Sequence, residues 1–123
     1  MPKATPDAVL DTMLDELENT VDMLYVCTDE PANYAAIAAL TLASVALDSG
    51  DFAIGDGDSS GRKTTVSQQT GISITASGDA DHIVLADAAN TTLKYVTTCT
   101  SQTLTSGGTV TVPAWDIEIA DPT

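Results

Sequence analysis

The chain has 123 residues, 43% of them hydrophobic, and its 18 Asp and Glu against 4 Lys and Arg give a formal net charge of −14. A surface this acidic repels phosphate groups, which argues against nucleic-acid binding and against association with anionic membranes. The length fits one domain that buries about two-thirds of its unfolded surface, so no metal or disulfide is needed merely to fold. We therefore expect a single domain over residues 1–123 that holds no cofactor.

The beginning of the sequence lacks a basic region followed by an apolar run, which predicts that no secretory signal is present. No run approaches the ~18 apolar residues of a transmembrane helix. Without an export signal, Cys27 and Cys99 are expected to be two buried thiols rather than a disulfide. Whether the two cysteines pair is left open by the sequence.

The first predicted element is a helix over about residues 6–18. Thr5 is suited to cap it, Pro6 to occupy its first position and Asp7 to lie near the positive end of its dipole. Apolar residues at helical spacing then form one stripe, which consists of Val9, Leu10, Met13, Leu14 and Leu17. This stripe must pack on something. The two alternatives are the sheet of the same chain and a neighbouring subunit.

Short strands dominate the rest of the chain. Residues 23–28 form the first, and Pro31 follows its end. Residues 33–39 are rich in alanine but short and without an evident cap, which favours a loop or a single helical turn. The remaining predicted strands cover residues 40–46, 52–54, 62–67, 72–75, 81–87, 92–99, 109–112 and 115–119. Residues 100–105 are predicted to be a polar connection in which Leu104 is a core anchor.

Residues 81–87 and 92–99 read as a central hairpin, because β-branched and aliphatic residues flank a polar turn. Turn signals recur every 8–12 residues, a spacing typical of all-β domains. The sequence therefore predicts a mainly β fold, an antiparallel β-sandwich or jelly roll with one N-terminal α-helix. A flattened barrel is the alternative.

One segment resembles the start of a calcium loop. Oxygen donors alternate from Asp56 to Ser60, and Gly61 takes the sixth position. The twelfth position, which needs a bidentate glutamate, is Ser67, and Arg62-Lys63 bring two positive charges. We predict a polar turn without a metal, with a calcium site completed by Asp48 or Asp51 as the alternative.

No catalytic constellation is evident, so an enzyme is not expected. Residues 57–61 resemble the nucleophile segment of trypsin-like proteases, but the only histidine, His82, lies in an apolar strand, where a hydrogen-bonded or packed role is expected. A zinc site would need more ligands of this kind. The aromatic residues are expected in the core or an interface, with a sugar-stacking platform of Tyr25, Tyr34, Tyr95 and Trp115 as the alternative.

Several segments together resemble a family of small virion proteins of tailed bacteriophages and prophages of alphaproteobacteria. The resemblance extends from the first helix to Ile119, and its motifs are specific as a set and weak singly. The chain departs from the family pattern after Tyr34, where residues 35–39 replace a polar loop. The segments that carry it are Glu30-Pro31 with Tyr34, Gly50-Asp51-Phe52, Asp56-Gly57-Asp58, Ser60-Gly61-Arg62-Lys63, Val66, residues 81–87 and residues 115–119.

The resemblance implies a non-enzymatic virion structural protein, and within that class a cement or decoration protein on the outer capsid surface that stabilises the capsid. Its partners would be the major capsid protein and further copies of itself, with a trimer favoured. A tail- or fibre-associated virion component is the alternative. A second alternative, from another class, is a calcium-dependent carbohydrate-binding or adhesin module that uses Asp56 and Asp58.

Contact with a partner is expected to depend on a few apolar anchors, because exposed ion pairs contribute only about 0–1 kcal/mol each. The first candidates are on the helix, and the second group is in the alanine-rich segment, which a partner would order. The predicted contact residues are Leu10, Met13, Leu14, Leu17, Tyr34, Ile37 and Leu40.

Overall fold

The computed structural model describes residues 6–58 and 60–119. The predicted mainly β fold, with antiparallel sheets and an N-terminal helix, is confirmed, and a second helix is added. Thr5 and Ser59 lie outside the described residues. In chain order the described elements are α1 (Asp7–Thr20), β1 (Met23–Cys27), α2 (Tyr34–Leu40), β2 (Thr41–Ala46), a 3-10 turn (Ser49–Asp51), β3 (Phe52–Asp56), β4 (Arg62–Val66), β5 (Gln69–Ser73), β6 (Gly78–Asp87), β7 (Thr92–Leu104), β8 (Thr109–Val112) and β9 (Trp115–Ile119).

The strands form three antiparallel groups. The largest sheet has the order β2-β1-β6-β7, a second has the order β3-β4-β9, and β5 pairs with β8. One bridge between Ala43 and Ile74 joins β2 to the end of β5, so the first and third groups are continuous at that point. Side chains from all three groups share one core, which is consistent with the predicted sandwich.

The largest sheet is covered on both faces. Leu24 and Leu85 lie opposite each other and point into the main core. Their neighbours Cys27 and Val84 point to the other face, where they pack with Ile37 of α2. Because both faces are buried, residues 83–86 read as a continuous apolar run instead of an alternating one.

Helix α1 begins and ends slightly later than predicted. Pro6 takes the N-cap position with ψ 142°, so its predicted place at the first helical position is wrong, and no described side chain caps this end. The helix continues to Thr20, whose hydroxyl donates to the Glu16 carbonyl, and the Val21 N–H donates to Leu17 O at 2.9 Å. These bonds satisfy carbonyls at the last turn and extend the helix past residue 18.

Residues 34–40 form a helix, where the sequence predicted a loop or a single turn. The segment is not uncapped, because the Asn33 side chain accepts a hydrogen bond from the Ala36 N–H at 3.0 Å. Asparagine is among the strongest N-cap residues, which explains the helix despite its shortness. Leu40 ends α2, so β2 begins at Thr41.

Strand β7 crosses the region predicted to be a polar connection. It continues to Leu104 because β6 already begins at Gly78, and the pairs Gly78–Leu104 and Ala80–Gln102 extend the hairpin ladder. The strand predicted to begin at residue 81 therefore begins three residues earlier, at Gly78. Leu104 is 4% exposed, which confirms its prediction as a core anchor.

Strand β5 also begins earlier than predicted, at Gln69 instead of Ile72. Gly71 lies within it with φ 64°, and the pairing with β8 shifts register around this residue. A residue with a side chain is strained at this φ, so glycine permits the irregularity. Ile74, predicted to be inside the strand, instead makes the bridge to Ala43.

Thr64 in β4 offers a first prediction. It is fully buried between Ile54 and Ile117, and its hydroxyl has no hydrogen-bond partner among the described residues. A buried unpaired hydroxyl costs about 1–3 kcal/mol, and valine has nearly the same shape. We therefore expect Thr64→Val to raise the free energy of unfolding by about 1 kcal/mol or more, as measured by urea denaturation.

The matched control is the next residue of the same strand. The Thr65 hydroxyl donates to Asp116 at 2.8 Å, so Thr65→Val should leave stability unchanged or reduce it. A Thr64→Val protein less stable than the wild type would contradict the prediction.

Candidate functional site

The predicted contact residues of α1 divide into buried and exposed ones. Leu10 and Leu14 are 3% and 1% exposed, and Leu17 is half-buried against the main core. Met13 is 53% exposed and Val9 is 51% exposed. Most of the apolar stripe of the helix therefore packs against the sheets of its own chain. Val9 and Met13 remain exposed and could contact another molecule.

The predicted contact residues of α2 pack against the outer face of the largest sheet. Ile37 is 2% exposed, and Tyr34 and Leu40 are half-buried around the cluster that includes Cys27. These side chains attach the helix to the sheet without any other chain. Their contact with a partner stays a prediction.

The four aromatic residues of the possible platform lie in two separate groups. Tyr25 and Tyr34 belong to the same cluster beside α2, and burial, with a smaller effect of Tyr34, raises the pKa of Tyr25 to about 12. Tyr95 of β7 instead stacks on Trp115 of β9, with ring centroids 6.0 Å apart and an angle of 28° between the planes. The first pair belongs to the α2 cluster and the second to the main core, so the four rings do not form one platform.

The segment compared with a calcium loop is the turn between β3 and β4, and its carboxylates already have protein cations. Arg62 Nη1 lies 2.6 Å from Asp56, and Lys63 Nζ lies 2.8 Å from Asp58. Arg62 Nε also pairs with Asp11 of α1 at 2.7 Å. Hydrogen bonds to Asp11 and Asp56 raise the pKa of Arg62, which keeps it cationic. This arrangement disfavours a metal at the turn.

The same turn is attached to the neighbouring strand β9. The Asp58 N–H donates to Glu118 at 2.9 Å, and Lys63 reaches Asp116 at 3.2 Å. The hydrogen bond from Thr65, followed by that from Lys63, lowers the pKa of Asp116. The charged residues of the turn therefore fasten β3, β4 and β9 to one another.

A hollow of about 500 Å³ lies near the end of α1 and the β6–β7 turn, and acidic side chains are among the residues that line it. Its carboxylates hold backbone N–H groups: Asp22 accepts from Ala88 at 2.7 Å, and Asp87 accepts from Asn90 at 3.2 Å. Among the described residues no group of three His, Cys, Asp or Glu is placed to hold a metal ion. The carboxylates of Asp22 and Asp87 therefore stabilise the turn between β6 and β7.

His82 has the hydrogen-bonded role expected for it. Its Nδ1 lies 2.6 Å from the Asp81 carboxylate, and the residue is half-buried on β6.

Both cysteines are free thiols. Cys27 is buried as predicted, and burial raises its pKa to about 11. Cys99 is exposed, so the prediction of two buried thiols is wrong for it. The reason is that Cys99 lies on the edge strand β7, where sequence hydrophobicity alone does not decide burial.

Asp51 holds the 3-10 turn before β3. It accepts the Asp48 N–H at 2.9 Å, the Ser67 hydroxyl at 2.9 Å and the Gln69 amide at 3.2 Å. Burial raises the pKa of Asp51, but these hydrogen bonds outweigh burial and lower it. Ionised Asp51 therefore stabilises the fold above its unfolded pKa of about 3.9, and this contribution is lost as the pH falls through the lower folded pKa.

We expect Asp51→Ala to reduce the free energy of unfolding at neutral pH by about 1–3 kcal/mol, because it removes three hydrogen bonds to a charged group. The difference from the wild type should shrink below a pH of about 4. Chemical denaturation across this pH range measures both effects. Glu30→Ala, at an exposed loop carboxylate, is the control and should change stability by about 0.5 kcal/mol at most. A loss that does not vary with pH would contradict the role of the charge.

A cleft of about 540 Å³ separates β7 from the β8–β9 segment, and sequence reasoning did not find it. Val26, Ile83 and Leu104 belong to its apolar lining, and Trp115 lies where β9 begins. A signal was present in the sequence, because the longest stretch without a charged residue runs from Tyr95 to Trp115. That stretch supplies both walls of the cleft.

Each cation that the structure describes is paired with a carboxylate. Besides Arg62 and Lys63, Lys94 of β7 binds Glu16 of α1 at 2.6 Å. The described surface therefore presents unpaired negative charge to its surroundings. Within the same residues, no helix is long and apolar enough to cross a membrane.

The fold that these elements define is mainly β with antiparallel sheets. No protein-family model, curated protein or solved structure matches the chain.

Proposed function

We propose that the chain is a non-enzymatic structural protein of a tailed-phage virion, acting as a cement or decoration protein on the outer capsid surface. The observation that carries the proposal is the set of segments that resemble small virion proteins. Three of these segments, around Phe52, Arg62 and Trp115, lie side by side in β3, β4 and β9. Segments distant in sequence therefore belong to one folded unit, which supports reading them as a set.

The charge distribution supports an exterior position. With a formal net charge of −14 and its described cations already paired, the protein would be repelled by packaged DNA. On the outside of a capsid the same charge favours solubility and attraction to basic surfaces.

The hydrogen bonds of the ionisable groups support a structural role as well. Asp51, Asp87 and Asp116 each serve a turn or a neighbouring strand. His82 is held by the adjacent Asp81. These groups are used to order the fold, as expected for a protein that holds other proteins together.

The proposed partners are the major capsid protein and further copies of this chain, with a trimer favoured. Val9 and Met13 are four residues apart on α1 and therefore lie on one face of the helix. We assign this pair as the part of the predicted α1 contact that reaches a partner.

Localisation by electron cryomicroscopy of virions tests the proposal. Density for this mainly β domain on the outer capsid, at a local symmetry axis, is the expected result. Density only in the tail would overturn the cement role and favour the alternative, a tail- or fibre-associated component. Virions that lack the protein altogether would overturn both.

A further inference from the structure

The cleft beside β7 lies between two free strand edges. Among the strands that the structure describes, β7 is the last of the order β2-β1-β6-β7, and β8 pairs with β5 alone. Through the Ala43–Ile74 bridge, these two strands are the opposite ends of one curled series of strands. Their side chains line the same cleft, so the two ends face each other across a gap of about 540 Å³.

The walls of the gap come mainly from β7 and from the β8–β9 segment. Trp115 lines the gap and stacks on Tyr95 of β7. Thr97, Cys99 and Gln102 of β7 form one wall, and the other wall includes Thr111 of β8 with Pro113 and Asp116 after it. The β7 residues that line the gap include no charged residue and no proline, the features that usually protect natural edge strands.

The pairing of β7 with β6 contains a bulge. In the pairing with β6, Ala80 faces Gln102 and His82 faces Thr98, so residues 99–101 are opposite Asp81 alone. Such bulges occur preferentially at sheet edges and next to binding sites.

Trp115 lines the cleft, and its indole Nε1 is buried without a hydrogen-bond partner among the described residues. A buried unpaired donor costs about 1–3 kcal/mol. A bound segment whose backbone carbonyl reached this nitrogen would recover that cost.

We propose that an extended segment of a partner protein, with apolar residues at alternate positions and Lys or Arg at its flanks, lies in this cleft and adds as a strand to the free edge of β7. Backbone hydrogen bonds to an edge and alternate side chains in pockets are how strand addition achieves affinity and specificity. The apolar side chains would face Ile83 and Leu104, which line the cleft. The interaction does not depend on the virion role, because it follows from the edge and the cleft alone.

Charge selects a basic partner over a second copy of this chain. Asp116 lines the gap, and the described Lys and Arg side chains are already paired with carboxylates of this chain. Two chains that each carry −14 repel one another, whereas Lys or Arg at the ends of a bound segment would be attracted to the acidic chain.

Two features of the chain make the test direct. Trp115 is the only tryptophan, so its fluorescence reports on the cleft. Cys99 is an exposed thiol lining the cleft while Cys27 is buried, so a maleimide reagent labels Cys99 selectively.

The experiment selects binders from a display library of random peptides of about twelve residues, which reach ~40 Å when extended. We expect enrichment of peptides that alternate apolar β-formers and carry Lys or Arg at an end. Their binding should shift the Trp115 emission and slow amide exchange in β7. A bulky maleimide on Cys99 should weaken binding at least tenfold, and a small methylthio group on Cys99 should not.

Cys99→Ser treated with the same bulky maleimide is the control and should bind as the untreated protein does. The absence of enriched peptides would overturn the proposal, and so would peptides that bind the blocked protein equally well. Self-association that the block abolishes would assign the cleft to a second copy instead. An emission shift with oligosaccharides but not with peptides would assign it to a sugar.

Discussion

Replacing Leu14 by aspartate is expected to unfold the isolated protein. Leu14 is 1% exposed and packs in the main core between α1 and the sheets. Truncation of a buried leucine alone costs about 2–5 kcal/mol, and burial of a carboxylate adds to this. Whole domains are stable by only about 5–15 kcal/mol. Circular dichroism and urea denaturation should show loss of the cooperative transition or a large reduction of its midpoint.

Met13 is the matched control, because it is adjacent in sequence and 53% exposed. Met13→Asp should change the free energy of unfolding by about 0.5 kcal/mol at most. The same variant tests the proposed α1 contact. A charge placed beside Val9 on the contact face of the helix should weaken assembly or capsid binding. A folded Leu14→Asp protein that merely fails to assemble would contradict the core position of Leu14 and assign it to an interface.

Replacing Ile37 by serine is expected to release α2 from the sheet and expose Cys27. Ile37 is the one buried residue of α2, and it packs in the same cluster as Cys27. Loss of a buried isoleucine side chain costs about 2–5 kcal/mol, and a helix of seven residues is not stable alone. The thiol of Cys27, whose pKa burial raises to about 11, should then return toward its ordinary pKa and react with Ellman's reagent.

The measurement is made in a Cys99→Ser background, so that only Cys27 reports. Ala38→Ser changes the neighbouring exposed residue and should leave Cys27 protected. An Ile37→Ser protein with unchanged thiol reactivity would show that α2 stays in place without this anchor. Tyr34→Ala and Ile37→Ser also test the predicted partner contact at α2. Unchanged particle binding by both variants would contradict that prediction.

Local sequence patterns were sufficient to predict those helices and strands that are determined by residues close together in the sequence. The 3.6-residue spacing of Leu10, Leu14 and Leu17 predicted α1, and the apolar run around Val84 predicted strand β6 of the β6–β7 hairpin. The hairpin is not central as predicted, because β7 is the edge strand of its sheet. Antiparallel pairing followed from short strands and frequent turns. Helix α2 was also determined locally, by the Asn33 cap, and missing that cap made the prediction wrong.

The candidate contact sites were only partly visible in this way. Periodicity placed Met13 and Leu14 on the same stripe, yet one is exposed and the other buried. The difference depends on where the sheet meets the helix, which is information from distant strands.

By itself, the sequence determined the acidity of the protein, its mainly β class and the position of its first helix, because each depends on composition or on neighbours within a few residues. Only the tertiary structure decided that β7 extends to Leu104, that Cys99 is exposed and that a cleft lies between β7 and β8. These features arise from pairing between Gly78 and Leu104 and from a curl that leaves two strand edges facing each other. Strand pairing depends on contacts between residues that are distant in sequence. The sequence of a single strand therefore does not show whether that strand will lie at the edge of a sheet.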